Sequence, residues 1–245
     1  MKAIIFAAGL GTRIQKISKG KPKALVNFNG NTLLELAVEY LAKNGVEAVL
    51  VNIHHQSDMM KAFINSHSFP IPITISDESK ELLDTGGGLL KAKDFFKNCK
   101  EFVVFNVDVI TDLKLSEMLE IHKKSEALAT LAVRQRATSR YLLFDNTNRM
   151  IGWENTGTKE QIIHKNIDYK QFAFSGIHIL STDIFPLLEE EKEQKFSITK
   201  SYISLSKQNI IQAYNHTNDY WFDVGKPESY NEALEFIQKK EYKKL

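Results

Sequence analysis

The chain has 245 residues, with 32 Lys and Arg against 30 Asp and Glu for a formal charge of +2; its cationic groups are scattered, which excludes the electrostatic footprint of a duplex nucleic-acid binder. A chain this long buries roughly 70 to 75% of its unfolded surface and needs no covalent staple, while its single cysteine, Cys99, excludes both an intrachain disulfide and a CxxC metal site. No apolar run approaches the ~18 residues of a membrane helix, and Ala3 to Ala8 is too short for a signal-peptide core, so a soluble cytoplasmic protein with no membrane partner is expected.

Short apolar runs alternate with helix-length amphipathic segments, the rhythm of βαβ units around a parallel sheet covered on both faces. Ala3 to Ala8 reads as the first strand. Thr32 to Asn44 places Leu33, Leu34, Leu36, Ala37, Leu41 and Ala42 at helical spacing, and Asn44-Gly45 stops the helix. Ala48 to Ile53 is a strand, Ser57 to Asn65 a helix, and Ile71 to Ile75 a strand that Pro70 and Pro72 confine to a sheet edge or a strand start. Lys91 to Asn98 reads as helix, and Phe102 to Val107 is a buried strand that stops at Asp108. After a helix over Leu115 to Lys123, strand-like runs at Ala127 to Val133, Arg140 to Phe144 and Met150 to Glu154 turn the second half towards mixed sheet. The remaining elements are a strand over Phe172 to Leu180, helices over Ile184 to Leu188 and Ile198 to Leu205, strands over Ile210 to Tyr214 and Tyr220 to Val224, and a closing helix over Pro227 to Lys239. Glu189 to Glu193 reads as a solvated face and Lys239 to Lys244 as a frayed tail. With no repeat and no linker, 1–245 is expected to form a single domain.

The first strand flows into Gly9-Leu10-Gly11-Thr12-Arg13. Glycines there let backbone N–H groups approach a phosphate closely, although a plain turn between strand and loop uses the same residues. A dinucleotide fingerprint fails at Ile14, where a third small residue is needed, and Glu35, the nearest acid for a ribose, lies inside a helix. The Walker loop fails because Gly20-Lys21 is followed by Pro22. Pro22-Lys23-Ala24-Leu25 adds a lysine behind a fixed backbone, so Arg13 and Lys23 together offer two cations to a multiply charged phosphate. Asp108 and Asp223 each end a strand; either is read as a turn or cap residue, or both as carboxylates for a hard divalent cation. Asp84-Thr85-Gly86-Gly87-Gly88 precedes a helix expected to begin near Leu89, and is either a flexible loop or a surface on which a flat base or sugar ring lies against backbone. His54, His55, Trp153 and Trp221 read as strand-end and packing residues.

AAGLGTR followed by KPKALV resembles the signature of sugar-1-phosphate nucleotidyltransferases. The resemblance runs from Met1 to about Tyr230 and implies a Rossmann-like α/β fold, with a mixed, mostly parallel central sheet and helices on both faces. No hexapeptide repeats follow, so no C-terminal β-helix is expected. The activity implied is Mg²⁺-dependent transfer of a nucleotidyl group from a nucleoside triphosphate to a sugar 1-phosphate, releasing pyrophosphate, by a monomer or homodimer. By position, Arg13 and Lys23 would be the catalytic cations and Asp108 and Asp223 the metal ligands. Ala8, Gly9, Gly11, Thr12, Thr85, Gly86 and Gly87 would bind the nucleotide, and Asn106, Glu154, Ser175 and Gly176 the sugar phosphate. The TGGG form, with Phe174-Ser175-Gly176, is most similar to N-acetylmuramic acid 1-phosphate uridylyltransferases and points to UTP. Where many members carry a Glu-Lys pair, this chain has Glu154-Asn155. The alternatives are a mannose- or heptose-1-phosphate guanylyltransferase, and a non-catalytic nucleotide-sugar sensor on the same scaffold.

Overall fold

The computed structural model describes residues 1–9 and 11–242; Leu10 of the glycine loop and Lys243 and Lys244 of the expected tail lie outside the described residues. Two compact units share the chain, the first made of Met1–Leu82, Phe105–Asp112 and Tyr220–Leu245, the second of Leu83–Val104 and Leu113–Asp219.

The first unit opens with β1 (Lys2–Phe6), whose Ile4 and Ile5 are fully buried. A 3₁₀ turn (Thr12–Ile14), the short α1 (Gln15–Ser18) and a second 3₁₀ turn (Lys23–Leu25) lead to a hairpin of β2 (Asn27–Phe28) and β3 (Asn31–Thr32). α2 (Leu33–Lys43) starts on a capping box: Glu35 N–H donates to Thr32 Oγ1, and Thr32 N–H donates to Glu35 Oε2 at 2.7 Å. Gly45, at φ 81°, then reverses the chain into β4 (Ala48–Ile53). After α3 (Ser57–Ser66) comes β5 (Ile73–Asp77), parallel to β4, which is itself parallel to β1. β5 begins two residues later than the apolar run suggests and forms the sheet edge; Pro72, which has no N–H to donate, instead accepts from Val49 N–H at 3.0 Å.

The chain then enters the second unit with α4 (Asp84–Lys91) and a 3₁₀ turn, and with the first residues of β6 (Glu101–Asn106). The last residues of β6 return to the first unit beside β1, followed by β7 (Val109–Thr111). The second unit resumes with α5 (Leu115–Lys124), β8 (Ala129–Arg134), β9 (Arg140–Phe144), β10 (Met150–Asn155), β11 (Glu160–Ile163), β12 (Lys170–Ser181), α6 (Ile184–Leu188), α7 (Ile198–Leu205) and β13 (Ile211–Asn215). Its strands pair antiparallel, except that β13 joins β8 in parallel. Phe102 stacks on Phe96 and Phe185 at centroid distances of 4.0 and 5.4 Å in its core. The chain ends in the first unit with β14 (Trp221–Asp223) and α8 (Pro227–Tyr242). The architecture is the mixed α/β sheet with helices that the sequence predicts. Four strands are additional: β2, β3 and β7 have two or three residues each, and all four residues of β11 are exposed, so none carries a hydrophobic period.

Three histidines are buried in the second unit, each against a hydroxyl, and His216 Nδ1 also lies 3.7 Å from Asp219 Oδ2. His178 Nδ1 lies 2.7 Å from Tyr202 Oη, His122 Nδ1 2.9 Å from Thr130 Oγ1, and His216 Nε2 2.7 Å from Ser175 Oγ. Burial pushes His178 down to about 3 and His122 and His216 to about 4. The unfolded chain takes up protons at these side chains near pH ~6.5 and the folded chain does not. His122 and His216 therefore each contribute about 3 kcal/mol, and His178 about 5 kcal/mol, that is present above pH ~6.5 and lost as pH falls towards the folded value. Tm should accordingly fall steadily between about pH 6.5 and 4.5, and His122→Gln should flatten the fall; a level Tm across that window would contradict this account.

Candidate active site

β6 ends at Asn106 and the chain turns at Asp108, which is 6% exposed. The Lys23 ammonium reaches it from the turn after Pro22, with Nζ 2.8 Å from Asp108 Oδ2. Pro22 fixes the entry to that turn at φ −52°, ψ 144°. The lysine stem runs along the glycine loop. A Cβ on Gly11 would lie 3.2 Å from Lys23 Cβ, and one on Gly9 3.8 Å from Lys23 Nζ. Gly11 also has φ 62°, so both its backbone and the approach of Lys23 call for glycine. Thr12 and Arg13 begin the 3₁₀ turn, with both residues exposed to solvent.

Asp223 arrives through a pairing the sequence does not announce. β14 runs antiparallel to β7 with Asp223 opposite Val109, and Val224 N–H donates to Asp108 O at 2.9 Å. The register sets the two acids side by side. A Cβ on Gly225 would lie 2.5 Å from Asp108 Oδ2 and 2.9 Å from Asp223 Oδ1, so both carboxyl groups reach one point that glycine alone leaves open. Gly225 N–H donates to Asp223 Oδ1 at 3.0 Å.

The electrostatics of the pair are unequal. Burial alone would raise the Asp108 carboxyl, but the Lys23 charge and its hydrogen bond outweigh that and hold it below the usual carboxylate range. Asp223 is raised, first by burial and then by the neighbouring Asp108 charge, with Arg13 acting the other way. Two close carboxylates, one destabilised by the other, form a donor set that a hard divalent cation completes and relieves. Among the described residues there is no cluster of three or more His, Cys, Asp or Glu for a metal, so the remaining ligands would have to be substrate or water oxygens.

The exit of β1 is held from β4. Asn52 Oδ1 accepts from Ala7 N–H at 2.8 Å and Ala8 N–H at 3.2 Å, and Asn52 Nδ2 donates to Glu78 Oε1 at 2.9 Å. The Ala8 amide is thus engaged within the protein rather than offered to a ligand. Asn52 and Glu78 escape the motif reading, although a polar residue inside the apolar run Ala48 to Ile53 is a signal that could have found the first.

In the second unit, the glycine run expected ahead of a helix near Leu89 is itself the start of α4, which begins at Asp84. Packing overrides the poor helix propensity of glycine. A Cβ on Gly86 would strike the Phe196 ring and lie 2.9 Å from Phe196 O, and one on Gly87 would strike Gln194 O. The side-chain faces of these glycines are therefore filled by the segment ahead of α7. Gly86 N–H donates to Phe196 O at 2.8 Å, and Thr85 Oγ1 accepts from Ile198 N–H at 3.1 Å. Ser175 and Gly176 form an irregularity in β12, where the register against β8 shifts and Gly176 has φ 75°. The Ser175 hydroxyl is turned inward onto His216, so backbone is what this bulge can present to a ligand. Glu154 lies in β10 opposite Gln161, whose Nε2 donates to Glu154 Oε2 at 3.4 Å. The structure thus brings Lys23, Asp108 and Asp223 together with the Gly9 to Arg13 loop in the first unit, and places Thr85 to Gly87, Glu154, Ser175 and Gly176 on separate elements of the second.

Comparison with known proteins agrees with this chemistry. The profile of the family described as Nucleotidyl transferase matches residues 2–240. The chain is 31% identical to D-glycero-alpha-D-manno-heptose 1-phosphate guanylyltransferase of Campylobacter jejuni, covering 96% of this chain and 99% of that one. It is 24% identical to UTP–glucose-1-phosphate uridylyltransferase of Synechocystis sp., aligning over 100% of its own length and 65% of that protein's. The fold matches the crystal structure of HddC from Yersinia pseudotuberculosis at a TM-score of 0.77, with 23% identity over 96% of this chain and 99% of that one. Among the described residues no helix is long and apolar enough to cross a membrane. With a single family profile running from the second residue into the closing helix, the chain belongs to the nucleotidyl transferase family, as a sugar-1-phosphate nucleotidyltransferase.

Proposed function

We propose that the chain transfers GMP from GTP to a heptose or mannose 1-phosphate, with 1–245 acting as one nucleotidyltransferase domain. The observation that carries the donor and acceptor is the near full-length match to the heptose 1-phosphate guanylyltransferase. A second reading, uridylyl transfer from UTP to N-acetylmuramic acid 1-phosphate, is favoured by the sequence Thr85-Gly86-Gly87-Gly88.

The acceptor's phosphate oxygen is already anionic and needs no general base. It attacks the α-phosphorus, forming a P–O bond while the α–β bridging bond breaks, and its electrons leave on pyrophosphate. The barrier is the approach of two anions, so the protein's work is alignment and charge neutralisation. Lys23, whose ammonium lies beside both Asp108 and the glycine loop, holds the reacting phosphates, and Arg13 with the loop amides takes the departing pyrophosphate. Asp108 and Asp223 would hold Mg²⁺, which when bound supplies positive charge against the phosphate oxygens. Asn106, Glu154 and the Ser175-Gly176 backbone are assigned to the sugar phosphate, and Thr85 to Gly87 to the nucleotide.

Pyrophosphate release measured with each of the four triphosphates against a panel of sugar 1-phosphates tests the reading. GTP with heptose or mannose 1-phosphate should exceed every other pair in kcat/KM by at least about tenfold. Preference for UTP with N-acetylmuramic acid 1-phosphate would establish the second reading instead, and no release with any pair, with or without Mg²⁺, would count against both.

A further inference from the structure

We infer that Asn52 is a positioning residue for nucleotidyl transfer, acting through the backbone at Ala7 and Ala8 to aim the glycine loop at the triphosphate. The inference rests on reading Gly9 to Thr12 as the triphosphate cradle. β1 ends at Phe6, so the next two amides have left the strand pairing and need acceptors inside a buried region. One side-chain oxygen serves both. Phe6 stands opposite Asn52 in the parallel pairing of β1 and β4, which puts the amide group of Asn52 beside the point where the chain turns out of the sheet.

The chemistry explains why the residue is asparagine. Backbone N–H groups only donate, so the carbonyl oxygen of Asn52 must face Ala7 and Ala8, at 2.8 and 3.2 Å, and its NH₂ must then face Glu78, at 2.9 Å. Aspartate could accept from the two amides but not donate to Glu78, and serine lacks the second arm. Asn52 is 3% exposed and Glu78 2%, so neither is placed to touch substrate from this position. Glu78 is itself fixed along its backbone, where its N–H donates to Ile53 O at 2.7 Å and its carbonyl oxygen lies 2.6 Å from His54 Nδ1. The two peptide planes ahead of Gly9 are therefore set by a buried network anchored on β4 and the residue after β5. Two consecutive planes held by one atom fix the direction in which the loop departs, and so where its amides and Arg13 stand relative to Lys23.

The test is a kinetic split with a polarity swap. Asn52→Ala should raise KM for the nucleoside triphosphate by at least about tenfold while KM for the sugar 1-phosphate stays within about twofold. Asn52→Asp alone should be impaired, because it sets two acceptors against each other. Asn52→Asp combined with Glu78→Gln reverses the donor and acceptor of that contact, keeps the oxygen facing Ala7 and Ala8, and should recover KM for the triphosphate to within about threefold of the starting protein. Equal change in both KM values with no recovery in the double variant would reduce Asn52 to a structural role and overturn the proposal. Binding of a fluorescent triphosphate analogue to the folded fraction reads the same split if Asn52→Ala folds poorly. Gly11→Val serves as the control for the underlying reading: if it leaves KM for the triphosphate unchanged, the loop is no cradle and both the reading and the inference fall, whereas an effect of Gly11→Val without one of Asn52→Ala overturns the inference alone.

Discussion

Lys23→Met should lower kcat by about three orders of magnitude, the scale on which removing a charge-stabilising donor acts. Methionine keeps a flexible stem to lie along Gly11 but removes the ammonium that touches Asp108 and neighbours Gly9. Stability should fall too, by roughly 3 to 5 kcal/mol, because a buried carboxylate loses its counter-charge beside a second acid. The two effects separate in the double variant Lys23→Met with Asp108→Asn, where Tm should recover while turnover stays lost. Steady-state rates at saturating concentrations of both substrates, measured alongside Tm, decide the matter. A Lys23→Met enzyme within tenfold of the original kcat would remove Lys23 from the chemistry.

Gly225→Ala should cost about two orders of magnitude in activity through the metal site. Gly225 is not among the glycines with left-handed φ, so alanine is compatible with its backbone. Its methyl carbon would instead lie 2.5 Å from Asp108 Oδ2 and 2.9 Å from Asp223 Oδ1, both closer than real contacts allow. Something must shift, and both nearest groups are the proposed ligands. The overpacking itself should take only about 1 to 3 kcal/mol from stability. Titration with Mn²⁺, followed by its paramagnetic signal, should show affinity falling more steeply than Tm. Unchanged Mn²⁺ affinity in a folded Gly225→Ala protein would separate Asp108 and Asp223 from metal binding.

The parts of the fold that were legible in the amino-acid sequence are those where one local rule dominates. α2 is readable because its apolar residues fall at helical spacing and Asn44-Gly45 supplies a stop, and the bounds predicted for β4, β9, α6 and α7 match the structure. The sequence places the start of α4 too late because three glycines oppose helix locally, and only the chain at Gln194 and Phe196, more than a hundred residues on, makes them favourable there. The site divides in the same way. Asp108 and Asp223 stand out as acids at the ends of apolar runs, Lys23 as the cation behind Pro22, and motif order groups them. Their convergence depends on β7, three residues with no period of their own, and on a register set across the length of the chain. Asn52 is not singled out by its sequence for a related reason, since the role proposed for it depends on which amides turn out of the sheet, a property of the folded backbone rather than of residue type.

The pairing of β14 with β7 also imposes an order on biosynthesis. A ribosome that has released the chain only as far as α7 has delivered the glycine loop, Lys23 and Asp108, but not the second acid. Until Trp221–Asp223 docks on Val109–Thr111, the emerging polypeptide holds Asp108 with Lys23 and without Asp223. If Asp108 and Asp223 hold Mg²⁺ as proposed, competence for divalent-ion chemistry would arrive late and all at once, and an incomplete or proteolytically clipped chain would lack one of the two acids.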